Sequence, residues 1–395
     1  MRVLVFSPDT PYPPNRGGRA DIWRRIEAFV ALGHSVMLVH LTDPTNADSS
    51  NEANLSVIES VVDIRESFPI RRNLYLTVKQ LARALWVPWH VATRVPDFKR
   101  RIQIIKSIRS FKPDVLWLDG PWFGVLAKDV AADLNIPLLY RSHNVEHRYI
   151  RGQAKVAVRI RDRIAWSLAC IGLEKYEYDL LNLATSIFDI SVEDMKYWQS
   201  RGIDKIKWLP PLPHVVTEGQ GKEAIYSDVL FTGNLSTPNN VRGVEWLIVE
   251  VLPLVLKELP NLHFTVVGSN PTEFVLDLLS SAENVDISFN VPDTTPYLAG
   301  AKVLVNPVAT GSGVQVKMLD MLMTDAPIVT TSQGVFGLPS DFKNLVNVAD
   351  GADLFARFIC DEFRVSSVDL SVRASARKLF SIAALDSALG NTNCF

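Results

Sequence analysis

The chain has little of what secreted and membrane-spanning proteins use. Its three cysteines, Cys170, Cys360 and Cys394, are far apart and odd in number, so neither a disulfide framework nor a zinc cage is indicated. No stretch approaches the roughly 20 apolar residues of a spanning helix. The apolar residues 3–6 are too few for the core of a signal peptide. These absences favour a cytoplasmic protein that is soluble or peripheral at a membrane.

Internal repeats, low-complexity runs and long Gly/Ser linkers are also missing from the 395 residues. A chain of this length with 47% hydrophobic residues predicts two domains of roughly 150–200 residues each. Strand and helix patterns alternate in both halves, which predicts an α/β fold with two doubly wound sheets. The G-x-G-x-x-G fingerprint is absent, and this disfavours a nicotinamide enzyme.

The most informative segment that is present spans residues 299–338. Its pattern predicts a buried strand at 303–308, a turn at 310–313, a helix at 316–323 and a second strand at 328–331. Gly311 and Gly313 allow the main chain to approach a ligand closely because they carry no Cβ. The first turn of the helix has unpaired N–H groups, which suit a phosphate.

Lys317 and Asp320 add charge to the same helix. Lys317 lies in the first turn, where a cation gains nothing from the helix dipole, so a bound anion explains it better. Asp320 follows three residues later on the same side and can accept hydrogen bonds from a ribose. The alternative is an ordinary strand–helix turn with a solvated Lys–Asp pair.

This segment resembles the donor-binding segment of the group 1 family of retaining glycosyltransferases. Within that family it is similar to a branch involved in bacterial exopolysaccharide or surface-polysaccharide assembly, whose pattern is G-S-G-x-x-x-K-x-L-E-A. The resemblance implies that Asp320 replaces the ribose-binding Glu and that Ser312 replaces the acid that contacts the sugar. The matching residues run Gly311, Ser312, Gly313, Val314, Gln315, Val316, Lys317, Met318, Leu319 and Asp320.

The resemblance continues upstream, where residues 229–233 and 264–268 match strands of the donor-binding domain. Asn234 and Asn239 stand where many members carry an Arg and a Lys that hold the donor diphosphate. The implied substitutes are amide side chains, helix amides near Asn240, and Lys317, and Gly233 belongs to the same matching loop. The loop at 290–293, with Val291, matches the backbone that usually reads the nucleobase, although the common Gly is an Asn here.

The first half has a strand at 2–7, a Pro-rich loop, Gly17 and Gly18, and a helix at 20–32. This is a second phosphate-capable turn, or else a plain strand–helix loop. His143 follows a predicted strand at 137–141, at the end where open α/β sheets place ligands. A lone His there is more often structural, but the resemblance implies that His143 contacts the donor sugar and supports the leaving phosphate.

Taken as a whole, the resemblance implies a GT-B architecture of two doubly wound Rossmann-like domains facing across a cleft. The expected domains are 1–215 on the acceptor side, 216–372 binding the nucleotide sugar, and 373–395 returning to the first domain. The implied enzyme is a metal-independent, retaining hexosyltransferase that uses a nucleoside diphosphate sugar as its donor substrate and needs no cofactor. The alternatives are a non-catalytic nucleotide-sugar-binding subunit and a nucleotide-sugar epimerase of the same fold.

Positive charge is concentrated in residues 70–112, which contain eleven Lys and Arg against the single acid Asp97. Trp86 and Trp89 are interleaved with these bases. A second basic run covers residues 148–163. Basic and aromatic residues together suit an anionic membrane surface, and the alternative is a solvated basic face. Nucleic acid is disfavoured, because no recognisable binding motif accompanies the charge.

Overall fold

The computed structural model describes residues 1–43, 46–69, 82–83, 86–157, 159–214, 223–309 and 313–390. The chain divides into two units, one formed by Met1–Pro210 with Ile382–Phe395 and the other by Pro211–Ser381. Within the described ranges, no helix combines the length and the hydropathy that crossing a bilayer requires.

The first unit is built on a seven-stranded parallel sheet in the order β3-β2-β1-β4-β5-β6-β7. β1 and β4 are apolar and buried along nearly their whole length, as expected for parallel strands covered on both faces. The strands are β1 Arg2–Ser7, β2 Ser35–Thr42, β3 Ile64–Pro69, β4 Val115–Asp119, β5 Leu138–Ser142, β6 Ser186–Asp189 and β7 Ile206–Trp208.

Helices connect these strands and cover the sheet, because a parallel pair needs a crossover connection. They are α1 Gly17–Ala31, α2 Ala47–Ser50, α3 Glu52–Val61, α4 Trp89–Ala92, α5 Phe98–Phe111, α6 Gly124–Leu134, α7 Glu146–Val156, α8 Ile160–Ala169, α9 Leu173–Leu183 and α10 Val192–Gln199.

The second unit repeats the plan with a six-stranded parallel sheet, ordered β10-β9-β8-β11-β12-β13. Its strands are β8 Ser227–Asn234, β9 Phe264–Ser269, β10 Val285–Phe289, β11 Ala301–Asn306, β12 Ile328–Thr330 and β13 Asn347–Val348. Its helices are α11 Pro238–Trp246, α12 Leu252–Glu258, α13 Glu273–Ser280, α14 Thr295–Gly300, α15 Val316–Leu322, α16 Ala352–Arg364 and α17 Leu370–Arg377, while α18 Ile382–Gly390 belongs to the first unit.

Both sheets have the strand order of a dinucleotide-binding fold, in which the order reverses between two central strands. The reversal lies between β1 and β4 in the first unit and between β8 and β11 in the second. Ligands of such sheets bind outside the carboxyl ends of the strands at this point. Each unit therefore has one expected binding edge.

The strands predicted from apolar runs agree with the structure to within two residues at either end. The strand at 2–7 has the predicted bounds, and the helix predicted at 316–323 spans Val316–Leu322. The helix predicted from residue 20 begins three residues earlier at Gly17. Glycine lowers helix propensity, so the pattern placed this start too late.

The unit boundaries also differ from the expected ones. The first boundary lies after Pro210 rather than 215. The second lies after Ser381 rather than at 372. Arg373 explains this shift, because its buried guanidinium donates to the main-chain oxygens of Thr324 (3.3 Å), Ala326 and Leu345 (2.7 Å). These bonds tie α17 to the second unit.

Gly243 sets the spacing between α11 and the end of β11. A Cβ there would lie 2.7 Å from the carbonyl oxygen of Pro307, which is closer than real Cβ contacts allow. The Gly243→Ala substitution should lower the free energy of unfolding by about 1–3 kcal/mol in urea titrations. Gly152→Ala on α7, where a Cβ meets nothing within 4 Å, is the control and should be neutral or stabilising by up to about 1 kcal/mol. Equal stability of both variants would contradict this close packing.

Candidate functional site

Lys317 is the central residue of the binding edge in the second unit. It lies in the first turn of α15, and its Nζ donates to Asn240 Oδ1 at 2.9 Å and to the Thr232 main-chain oxygen at 3.4 Å. The same ammonium lies 4.6 Å from the ring centre of Phe231. The lysine thus joins the start of α15 to the end of β8 and the start of α11.

The partners of this lysine are all uncharged among the described residues. Burial lowers the pKa of Lys317 to about 7, and no neighbouring carboxylate counteracts the effect. A buried cation without a counter-ion is costly, and a bound anion would remove much of that cost. The arrangement fits an anion site.

Asn234 and Asn239, which stand where many family members carry an Arg and a Lys, have different hydrogen-bond partners. Asn234 Oδ1 accepts from the main-chain N–H of Ser236 at 2.9 Å, so it builds the turn after β8. Asn239 Oδ1 accepts from Arg242 at 2.8 Å. Asn240 instead bridges the loop and the lysine, because its Nδ2 donates to the Asn234 main-chain oxygen at 2.9 Å.

Gly233 leaves room for this bridge. A Cβ at Gly233 would lie 2.9 Å from Asn240 Nδ2. A larger residue at 233 would therefore displace the amide that holds Lys317. The sequence predicted Gly233, Asn240 and Lys317 as members of one site, and the structure brings these three together.

The glycine turn before α15 is described only at its end. Gly311 and Ser312 lie outside the described residues, whereas Gly313 has a φ of +73°, in the left-handed region that favours glycine. Val314 is buried, and Gln315 is the residue before α15. Asp320 Oδ1 accepts the main-chain N–H of His214 at 2.6 Å.

The predicted base-reading loop follows β10, at the edge of the sheet next to β9. Asn290 has a φ of +53°, which a non-glycine residue seldom adopts and asparagine tolerates best. Its Oδ1 accepts the main-chain N–H of Asn270 at 2.9 Å. The same backbone turn that a glycine would make is thus kept by an asparagine, and Val291 follows it directly.

In the first unit, Gly17 and Gly18 form the exposed start of α1, after β1. Arg16 before them makes no side-chain cap, and a Cβ on Gly18 would meet nothing within 4 Å. The N–H groups of the first turn are therefore not covered by a capping side chain. The anion-capable turn predicted here keeps an open helix start.

His143 lies just after β5, and its side chain is only 15% exposed. Its Nε2 is 3.1 Å from Asp119 Oδ1 and 3.6 Å from Asp21 Oδ2. Asp119 ends β4, so the pair joins neighbouring strands at the binding edge. The Asp119 carboxylate accepts from Nε2–H, and this leaves Nδ1 as an acceptor for a hydroxyl.

A buried charge cluster lies beneath His143. The Asp21 carboxylate accepts from Arg141 Nε and Nη2, at 3.2 and 3.1 Å, and also from Arg25. Burial by itself would raise the pKa of Asp21, but the charges of Arg141 and Arg25 outweigh it and hold that pKa well below its usual range. Burial lowers the pKa of Arg25 to about 10.

Asp21, Asp119 and His143 offer three possible metal ligands within 4.8 Å of one another. However, two guanidinium groups already contact the Asp21 carboxylate. Their positive charges oppose a further cation at the same oxygens. The donor set therefore fits a structural ion cluster better than a metal centre.

The loop that carries His143 is anchored by Glu177 of α9. The carboxylate of Glu177 accepts the N–H groups of Glu146 and His147, at 2.8 and 2.9 Å, and its Oε2 lies 2.7 Å from His147 Nδ1. It thereby caps the start of α7 from a distant element. Burial, followed by the charge of Glu177, raises the pKa of Glu146 to about 8.

Sequence reasoning did not single out Asp21, Arg25, Asp119, Arg141 or Glu177. Two signals were present: Arg141 is a charged residue inside an apolar strand, and Asp119 ends another. Buried charges of this kind are almost always paired. Which charges pair with each other could not be predicted from the sequence pattern, because Asp21 and Arg141 are 120 residues apart.

The basic segment 70–112 lies partly outside the described residues, at 70–81 and 84–85. On α5, Arg100 pairs with Glu66 at 2.6 Å, and Arg101 and Arg109 pair with acids of α6. The latter distances are 2.6 Å to Asp129 and 2.8 Å to Asp133. Acids that are distant in sequence thus neutralise part of a segment in which Asp97 is the single acid.

Comparison with known proteins finds a family model that matches part of the chain. Residues 226–361 match the family model described as Glycosyl transferases group 1. The matched range includes Lys317, Asp320, Asn240 and Gly233. The residues around Lys317 therefore lie inside the matched part of the chain.

A relative from Klebsiella pneumoniae, described as an uncharacterized 44.6 kDa protein in the cps region, is 26% identical over 367 residues. The alignment covers 91% of this chain and 90% of that protein. The two chains are therefore similar over both units.

Solved structures share the fold over the whole chain. HepE of Anabaena in complex with UDP has a TM-score of 0.61 at 11% identity, covering 99% of both chains. TarM of S. aureus has a TM-score of 0.63 at 11% identity, covering 99% of this chain and 98% of TarM. The predicted GT-B fold class of two parallel-sheet α/β domains is confirmed.

The ion cluster of the first unit yields a stability prediction. Asp21→Asn should lower the free energy of unfolding by about 3–5 kcal/mol, because it removes the buried carboxylate that both guanidinium groups contact. Asp129→Asn removes the surface partner of Arg101 and is the matched control, with an expected cost under about 1 kcal/mol. Urea unfolding at neutral pH measures both. An Asp21→Asn protein as stable as the control would show that the cluster is not a stabilising ion pair.

Proposed function

We propose that this protein is a glycosyltransferase that takes a sugar from a nucleoside diphosphate sugar. The observation that carries the proposal is the buried ammonium of Lys317, which has only neutral partners among the described residues and lies at the edge where parallel sheets bind ligands. A diphosphate supplies the missing negative charge. The family match over residues 226–361 and the UDP bound by the HepE structure support this donor class.

The roles of the other donor residues follow from their positions around Lys317. Asn240 holds the ammonium and can donate to a phosphate, while Asp320 accepts the ribose hydroxyls. The loop at Asn290 and Val291 reads the base through its main chain, and Ser312 contacts the sugar in place of an acid. The glycines at 17, 18, 311 and 313 let the main chain come close to the donor.

His143 is the residue we propose to contact the transferred sugar. With Nε2–H donated to Asp119 at 3.1 Å, Nδ1 is left to accept a sugar hydroxyl. We propose that the reaction retains configuration at the anomeric carbon and that the leaving phosphate helps to deprotonate the acceptor. His143 then orients the donor and needs no covalent bond to it. Neither a metal ion nor a cofactor is part of the proposed reaction.

We propose a lipid-linked or saccharide acceptor used in bacterial surface-polysaccharide or exopolysaccharide synthesis. Support comes from the relative described as lying in a cps region, and from the branch pattern around Lys317. The proposed location is the cytoplasm, peripheral at the inner face of the cell membrane. A transferred hexose is the expected sugar.

The direct test is to incubate the protein with UDP-, GDP- and TDP-sugars and to follow release of the nucleoside diphosphate. Slow donor hydrolysis with one of these donors is expected. A non-catalytic binding subunit would bind a donor without releasing nucleotide, and an epimerase would interconvert the sugar while the nucleotide remains attached. Absence of both binding and turnover for every donor would overturn the proposal.

Lys317→Ala should weaken binding of the nucleoside diphosphate by roughly 10- to 150-fold, because a charge-assisted contact contributes about 1.5–3 kcal/mol. Binding of the free nucleoside should stay nearly unchanged, since it carries no phosphate. Isothermal titration with both ligands measures the difference. Equal diphosphate curves for the variant and the parent would contradict the assignment of Lys317.

The pKa of Lys317 near 7 also predicts a pH dependence. The neutral amine must take up a proton before it can pair with the diphosphate, so the affinity for the donor sugar should fall as pH rises above 7. The fall is at most about tenfold per pH unit. Phosphates of a nucleotide sugar do not titrate in this range, so the slope reports the protein. Lys317→Met should bind weakly and lose this pH dependence.

Asp320 should act through its capacity to accept two hydroxyls. Asp320→Asn keeps one oxygen for the main-chain N–H of His214 but should bind the nucleotide roughly tenfold more weakly. Asp320→Glu should retain most of the affinity. A dideoxyribose analogue serves as the matched ligand, because the parent and Asp320→Asn should bind it equally. If Asp320→Asn binds the ribonucleotide like the parent, the acid is only structural.

A further inference from the structure

Helix α8 of the first unit has an apolar stripe that no described element covers. Ile160, Ile164 and Leu168 recur every four residues and are 74%, 55% and 57% exposed. This spacing places them on one face of the helix. Ile171, just past the end of α8, is 66% exposed and extends the stripe. Four large, exposed aliphatic side chains along one face are unusual for a helix that contacts only water on that face.

The opposite face of α8 is fixed to the unit. Ala169 is buried with Ile150 and Leu173, and Trp166 packs against the same cluster. The Trp166 ring also stacks on His90 of α4 at 6.0 Å. Because the inward face is already packed, the stripe cannot turn inward without breaking these contacts. The stripe therefore faces away from the first unit.

Charge around the stripe indicates the nature of that partner. Residues 147–173 carry six Lys and Arg and a single acid, Asp162. Arg161 and Arg163 lie on the two sides of the stripe, given roughly 100° of rotation per residue. Arg148 and Arg151 contact Tyr197 and Glu174. Lys155 and Arg159, which precede α8 in the chain, and Arg161 and Arg163 on α8 are all exposed.

We propose that α8 lies flat on an anionic phospholipid surface, with its apolar stripe inserted at the headgroup boundary and its arginines among the phosphates. Such a helix combines an apolar face with flanking bases, and the long arginine stems let the charges reach the headgroups. Trp86, 88% exposed and three residues before α4, is a further residue suited to the interface.

A protein partner fits the stripe less well. Stable protein interfaces use roughly 20–30 residues a side, whereas the stripe has four aliphatic residues bordered directly by like charges. A second copy of the chain would bring its own arginines against these, which is unfavourable. The stripe shares no residue with the site around Lys317 or with the cluster around His143. The inference therefore does not depend on the proposed reaction.

The test is flotation of the full chain with vesicles of phosphatidylglycerol and phosphatidylcholine, compared with phosphatidylcholine alone. The parent should bind the anionic vesicles, and binding should weaken steeply with salt. Ile164→Gln with Leu168→Gln should reduce binding at least about tenfold, because two apolar insertions are lost. Indifference of the parent to lipid charge, or unchanged binding of this double variant, would overturn the proposal.

Two controls match these changes elsewhere on the chain. Leu276→Gln with Val372→Gln alters two exposed apolar residues of the second unit and should bind like the parent. Arg161→Gln with Arg163→Gln should weaken binding at low salt and flatten the salt dependence, whereas Lys257→Gln with Lys378→Gln should not. These last two lysines are exposed in the second unit.

Sedimentation and donor assays separate the remaining outcomes. A parent that dimerises, with dissociation of the dimer by the stripe variant, would identify the stripe as a self-association surface and overturn the lipid assignment. Thermal unfolding of the stripe variant should match the parent, since the changed side chains are exposed. Release of nucleotide in solution should also be unchanged in that variant. If the parent itself releases no nucleotide from any donor, this result contradicts the proposed reaction but leaves the membrane surface unaffected.

Discussion

The need to compensate buried charge organises both binding edges. A charged group taken out of water must find a partner, or its pKa shifts until it becomes neutral. In the first unit, Asp21 is buried between Arg25 and Arg141, and the chain supplies both signs of charge itself. In the second unit, the described residues place only neutral oxygens around the cation of Lys317. The first unit thus has an internally compensated ion cluster, whereas the second has a cation whose charge the described residues leave uncompensated.

The compensated cluster also explains how the loop at His143 is held. Arg141 lies on β5 directly before this loop, and Asp119 on β4 meets His143 from the neighbouring strand. Glu177 then closes the other side by capping α7. The imidazole is therefore held between two anchored elements, which is the preorganisation that an orienting residue requires. Its free nitrogen is the part left for a ligand.

Exposed charge follows a different rule from buried charge. On α5, bases that look unopposed along the chain are paired with acids of β3 and α6. On α8 and just before it, Lys155, Arg159, Arg161 and Arg163 are exposed. The acid next to Arg161 is Asp162, 3.7 Å away. Charge density along the sequence indicated both segments equally. The two segments differ because α5 lies next to acids of β3 and α6, which pair with its bases.

Much of the fold could be predicted from the sequence, because apolar strands and helix periodicity are local patterns. The alternating pattern indicated two doubly wound domains, and the glycine, lysine and acid spacing near Lys317 indicated an anion site. Helix starts were less predictable: α1 begins at Gly17, where propensity argues against a helix. The unit boundaries at Pro210 and Ser381 depend on contacts such as those of Arg373, which no local pattern encodes.

The sequence by itself determined which residue types are available at each strand end, since the positions of strands along the chain and the side-chain chemistry follow from local pattern. Only the tertiary structure decided which of them meet. Asp21 meets Arg141 across 120 residues, and Lys317 meets Asn240 across 77. Such contacts arise when the crossover helices bring the carboxyl ends of parallel strands to a common edge. Tertiary packing likewise decided that Trp166 faces inward and Ile164 outward, because a helix presents its two faces to whatever the rest of the fold places beside it.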